Sequence, residues 1–311
     1  MRAGLRGRAA ALRGVALAAA VTAAVAAGGC SSSPAPPVVR TDPVLQLFND
    51  TARLEFDQER PVEAAASYAT ALDRAREMDD PAAITTAAYN LAIVRTVLAD
   101  YPAAAAALDE AQHEAIRASI DPTNILLVRA RVDLLLARPA DAAALADQVL
   151  RRPGQTAAAA LQAHAIKGLA ACRGGDSGGA ARELAAARSQ QAGVHSASID
   201  AIVLGLSGEV SLLNKNYPAA AADFDHQADL ARKSNDFRTM RHALAKAGDA
   251  YRRAAQREPA ADRLYRAARA AVAAGDPDAT RLAADAVTAA TAAQDPALIQ
   301  LTAALAGRLP H

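Results

Sequence analysis

The groups in this chain best equipped for bond-making chemistry are Ser177, six histidines and two cysteines. Ser177 lies in Gly174-Gly-Asp-Ser-Gly-Gly179. A serine acts as a nucleophile when a histidine takes its proton and a carboxylate orients that histidine. The histidines are His113, His164, His195, His226, His242 and His311. No two of them stand four apart, the spacing that sets two imidazoles on one helix face for a metal. Cys172 has only Arg173 beside it, weak support for a reactive thiolate, and reads as a small buried residue. There is no Walker loop and no Gly-x-Gly-x-x-Gly after a strand, so no cofactor is expected. Asp73, Glu77, Asp79 and Asp80 crowd one helix end and read as a solvated face.

The elements that would have to position these groups do not favour catalysis. Alanine dominates the chain, aromatics are 3% and tryptophan is absent. Alanine is the best helix former and lets helices approach closely, so an all-α fold is expected. Gly-Asp-Ser-Gly-Gly is similar to the nucleophile sequence of trypsin-like serine proteases, which implies a double β-barrel. No strand pattern is present, and a glycine-rich turn between helices accounts for the segment. Neither metal nor catalytic constellation converges, and the chain is expected not to be an enzyme.

The first forty residues read as an address. Arg2, Arg6, Arg8 and Arg13 precede an apolar stretch from Val15 to Ala27, and the first 30 residues contain no acid. About 13 apolar residues fall short of the roughly 20 that span a bilayer. A basic segment followed by a short apolar one is the pattern of a secretory signal. The stretch ends Ala27-Gly28-Gly29-Cys30. This resembles the lipobox of bacterial lipoproteins, departing from it at Ala27, where that family usually has Leu. The resemblance implies a signal peptide over 1–29, cleavage before Cys30, and acyl chains on Cys30 that hold the protein to a lipid bilayer. Two or more chains anchor stably where one does not. Residues 30–43 are rich in Ser and Pro and read as a flexible tether. Ser31, rather than Asp, after the cysteine implies by the same resemblance an outer-membrane location facing the periplasm. Without the four arginines, 30 basic groups face 33 acidic ones, a charge of about −3 that gives no reason to expect a nucleic-acid partner.

Residues 44–311 repeat. Small residues recur at Ala52, Ala92, Ala130, Gly168, Gly208 and Gly248, and again at Ala64, Ala104, Ala142, Ala180, Ala220 and Ala260. Both series step by 40, 38, 38, 40 and 40 residues. Four residues after the second series stand Tyr68, Leu108, Ala146, Leu184, Phe224 and Leu264, so only the third repeat lacks a large side chain there. Two antiparallel helices need small residues where their backbones cross and a large one beside the crossing. Turn prolines at Pro61, Pro102, Pro139, Pro218 and Pro259 fit first helical positions. Asp-Pro pairs at 80–81, 121–122, 276–277 and 295–296 fit a capping aspartate followed by the helix start. Asp278–Ala293 and Pro296–Leu309 read as a terminal capping pair.

The segment Tyr89-Asn-Leu-Ala92, followed by Tyr101, Ala104, Leu108 and Ala111, resembles the tetratricopeptide repeat. The resemblance implies a right-handed α-solenoid of about six repeats, each of 38–40 residues, whose first helices line a concave groove. Family groove positions fall on Asn49, Arg53, Tyr89, Asn90, Ile93, Asn124, Leu127, Arg131, Leu169, Glu209, His242 and Asp249. Asn49, Arg53, Tyr89, Asn90, Asn124, Leu127 and Arg131 make the first half the expected place for the acidic end of a peptide. Two functions fit: a cell-envelope scaffold docking a protein or peptide partner of an assembly or secretion system, or a periplasmic peptide or small-ligand receptor regulating a transporter or sensor.

Overall fold

A computed structural model describes residues 42–194 and 196–309. The signal segment, Cys30 and almost all of the tether lie outside the described residues. Among the described residues there are fourteen α-helices and no strand. They pair as α1 (Pro43–Asp57) with α2 (Pro61–Glu77), α3 (Pro81–Val97) with α4 (Tyr101–Arg117), and α5 (Thr123–Leu135) with α6 (Pro139–Arg151). Next come α7 (Ala157–Arg173) with α8 (Ser177–Gln191), α9 (Ala197–Leu213) with α10 (Tyr217–Lys233), and α11 (Phe237–Arg253) with α12 (Arg257–Ala273). The final pair is α13 (Ala279–Ala293) with α14 (Pro296–Ala306). The chain is an α-solenoid of helix–turn–helix repeats, and its core runs along the array rather than around one centre.

The small residues sit where the spacing puts them. Ala52, Ala64, Ala92, Ala104, Ala130, Ala142, Ala180 and Ala220 have no solvent exposure. The third repeat, which has Ala146 in place of a large residue, is built from the two shortest paired helices before the terminal pair, at 13 residues each. Repeat four also departs from the pattern. A Cβ built on Gly168 would meet Leu206 of α9 at 2.7 Å, so a neighbour from the next repeat fills that crossing.

Side chains cap most helix starts. Asp80 accepts from Ala82 and Ala83, Asp100 from Ala103, Asn216 from Ala219 and Asp295 from Ala297 and Leu298. Two expected Asp-Pro starts are corrected. Helix α5 begins at Thr123, with Pro122 outside it and Asp121 bonded to the Thr123 hydroxyl and backbone N–H. Helix α13 begins at Ala279, and Asp276 instead takes the Asp278 backbone N–H and pairs with Arg241.

Most helices end on a residue in the left-handed region. Only Gly154, Gly175 and Gly275 are glycine there; Glu59, Ala99, Ala137, Lys215, Asn235 and Ala255 hold φ between 57° and 60°. At each of these six, the next backbone N–H reaches back five residues, as Asp100 does to the Arg95 carbonyl at 2.9 Å. This closes the free carbonyls of the helix end.

Candidate binding groove

Helix α5 packs on α7, and α7 on α9; no contact of that extent joins α4 with α6, α6 with α8 or α8 with α10. In a curved array the layer whose members touch is the inner one, so α3, α5, α7 and α9 line the concave side, while at the C-terminal end α12 touches α14.

Arg131 projects from α5 into that side. Its Nη2 donates to Oε1 of Gln162 on α7 at 2.8 Å. Among the described residues it has no ion-pair partner, although its side chain is exposed. Surrounding protein partly desolvates the guanidinium and draws its pKa below the usual value, with Tyr89 of α3 opposing. Tyr89 is half-buried, and burial pushes its phenol up. The structure therefore groups Tyr89, Arg131 and Gln162 across three inner helices.

The other expected groove residues divide by register. Arg53, Ile93, Arg131, Leu169, Glu209 and Asp249 stand one residue after the small residue of each repeat, and all are exposed or half-exposed. Three residues before it the chain points inward. Asn49 and Tyr89 are half-buried there, and Leu127 is only 2% exposed in the core against Ala130 and Ala142. Leu127 is thus a core residue and not a lining one. The Asn49 Oδ1 is buried without a hydrogen-bond partner among the described residues. Asn90 is half-buried and Asn124 exposed. Gln162 was missed, although it stands six residues before Gly168 as Asn124 stands six before Ala130.

Acidic groups of the second half are already engaged. Glu209 holds Lys246 at 2.6 Å, and Asp249 binds Arg252 and Arg253. Arg53 lies 3.6 Å from Asp50 and is largely exposed. Burial lowers the His242 pKa, with Asp276 opposing.

Catalytic geometry is not assembled around Ser177. It is the first residue of α8, and the adjacent Asp176 carboxylate caps that helix through the Gly179 N–H at 2.8 Å. His164 is bound to Glu183 at 2.7 Å, which also takes Lys167 at 2.8 Å. Among the described residues no three metal-ligating side chains cluster, and no helix is long and apolar enough to cross a membrane.

No family model matches the sequence, and no curated protein matches it. Solved structures do. A signal transduction ATPase with numerous domains and a tetratricopeptide repeat sensor, from Pyrococcus horikoshii, is 12% identical. The match covers 88% of this chain and 40% of that one, with a TM-score of 0.60. The quorum sensor NprR from B. thuringiensis, in its apo form, is 10% identical over 84% of this chain and 87% of its own, with a TM-score of 0.51. The Cut9-Hcn1 hetero-tetramer of the APC/C is 14% identical over 85% of this chain and 53% of the matched one, also with a TM-score of 0.51.

Proposed function

We propose, from the premise that the chain has the tetratricopeptide-repeat fold, that it is a non-catalytic interaction scaffold of the bacterial cell envelope. In this reading acylated Cys30 holds it to a membrane, and the inner helices receive an extended segment of a protein partner. One observation carries the groove: Arg131, an exposed residue, has no carboxylate partner among the described residues and stands beside Tyr89 and Gln162. A guanidinium forms strong, oriented hydrogen bonds with a carboxylate, so the partner segment brings an acidic group to this point. The lipobox resemblance at Ala27-Gly28-Gly29-Cys30 supports the anchor.

The test replaces Asn124, exposed on α5, by a photo-crosslinking residue in cells making the full chain. A discrete crosslinked protein that vanishes with Arg131→Glu supports the scaffold. Failure to capture any protein, together with thermal stabilisation by a small molecule, would make the groove a receptor site instead. Cys30→Ser is expected to release the protein from the membrane fraction; retention of that variant would overturn the lipid anchor.

A further inference from the structure

The solenoid curls far enough for its early and late repeats to meet. Arg238, at the start of α11, donates from Nη2 to the carbonyl of Val97 at the end of α3, 141 residues away, at 3.0 Å. Beside that contact lies a cavity of about 780 Å³, a size typical of ligand sites. The α1–α2 turn, the end of α3, the α10–α11 turn and the α12–α13 turn form its walls.

Its surface is apolar with an unbalanced acidic charge. Phe56, Val62, Leu98 and Phe237 line it, with Val62 66% and Phe237 43% exposed, so large apolar side chains face solvent here. Among the lining charges, Arg60 pairs with Glu63 and Arg241 with Asp276. Arg238 donates to the neutral Val97 carbonyl and Asp236 caps α11 through the Thr239 N–H, so these two contribute one unpaired charge of each sign. Asp57 and Glu59 remain, both exposed and with no ion-pair partner among the described residues.

We infer that this cleft is a second binding site, separate from the inner groove, for a peptide segment that presents a bulky apolar side chain next to a lysine or arginine. The apolar side chain enters between Val62, Leu98 and Phe237, and the cation meets Asp57 and Glu59. Burying the apolar side chain supplies most of the affinity, and the charges set which sequences enter. An acidic segment would meet two uncompensated carboxylates and is excluded.

The chain has no tryptophan, so a tryptophan-bearing peptide reports its own environment. The full chain, purified in a non-ionic detergent, is titrated into the peptide Ac-KLWK-amide, with detergent alone subtracted. The expected result is a saturable blue shift that weakens as salt rises. Ac-ELWE-amide, titrated with the Arg131→Ala chain so that the inner groove does not take it, is expected to give none. Phe237→Ala, and separately Asp57→Asn with Glu59→Gln, should each weaken binding by about tenfold or more, a difference of about 1.4 kcal/mol. These residues are exposed, and unchanged helical circular dichroism verifies folding; Val62→Ser serves as a further variant of the same wall. Arg131→Ala should leave this binding unchanged, which separates the cleft from the groove. Equal binding of the acidic peptide by the Arg131→Ala chain, no binding of the basic one, or indifference to all the cleft variants would overturn the inference.

Discussion

A Cβ placed on Gly208 would lie 2.6 Å from Cε1 of Phe224, a ring with no solvent exposure. The two residues are sixteen apart, one on each helix of the fifth repeat, and the missing side chain is what lets the ring enter the crossing. Gly248 and Leu264 repeat the relationship at 2.6 Å in the sixth. Overpacking costs about 1–3 kcal/mol, while replacing a helix-interior glycine by alanine returns about 1 kcal/mol. Gly208→Ala is therefore expected to lose up to about 2 kcal/mol. Gly178→Ala, whose new Cβ finds Arg182 Nη1 at an ordinary 3.5 Å, should gain about 0.4–1 kcal/mol. Melting temperatures of the two variants should move in opposite directions; a rise for both would show that Phe224 can retreat.

The left-handed helix ends make a second prediction. Ala255 is exposed with φ of 60°, a conformation that costs a residue with a Cβ about 1–2 kcal/mol. Glycine removes that cost but gives back about 0.4–1 kcal/mol through the freer unfolded chain. Ala255→Gly should stabilise by about 0.5–1 kcal/mol. Ala106→Gly, exposed inside α4, should destabilise by about 1 kcal/mol. Denaturant midpoints read both, and a loss at position 255 would contradict the geometry.

The repeat was legible because each crossing needs a small residue in phase, and Ala52 through Gly248 keep that phase. Those left-handed turn residues were not, because alanine, glutamate, lysine and asparagine occupy them as readily as glycine, leaving no compositional mark. Arg131 and Tyr89 were legible as groove positions from the resemblance. Leu127 was misplaced because α5 carries Leu, Ile and Val all round and so shows little contrast between its buried and open faces, and only the packing of α5 on α7 separates them. The cleft at Arg238 and Val97 could not be read at all, since it depends on the accumulated rotation of several repeats. Asp276 shows the same limit. Next to Pro277 it looked like a helix cap, and its partner Arg241 lies 35 residues away.

That pair supports a pH prediction. Arg241 and Asp276 meet at 3.0 Å with 8% and 7% of their side chains exposed. Burial alone would raise the Asp276 pKa, but the Asp278 N–H and Arg241 outweigh it and hold the carboxyl below its ordinary value. Its contribution to stability is therefore present above the unfolded pKa of about 3.9 and is lost as pH falls through the folded value. Asp42 follows the same sign, held at about 2 by hydrogen bonds from Arg74 and the Leu45 N–H. Asp276→Asn leaves Arg241 buried and unpaired, so a loss of about 3–5 kcal/mol is expected at pH 7. The gap between variant and parent should narrow in acid. A gap that stays constant from pH 7 to pH 2 would show that the charge of Asp276 is not what matters.

Cys172 provides the last test, because its chemistry follows from where α7 places it. The thiol is half-buried rather than enclosed. Burial pushes its pKa up to about 11, and Glu209 adds to this against the opposing charge of Lys246. Since the thiolate is the reactive form, only about one thiol in a thousand is ionised and ready to react at any moment at pH 8. An unfolded cysteine near pH 8.5 would be about a quarter ionised, so unfolding should speed labelling by roughly two hundredfold. With Cys30→Ser as background, reaction with a disulfide reagent is expected to be slow in the folded protein and fast in denaturant. Glu209→Gln should quicken the folded reaction by removing a negative neighbour. A native rate matching the denatured one would mean that Cys172 is reached by local opening of α7, and that the inner layer is looser than its packing on α5 and α9 implies.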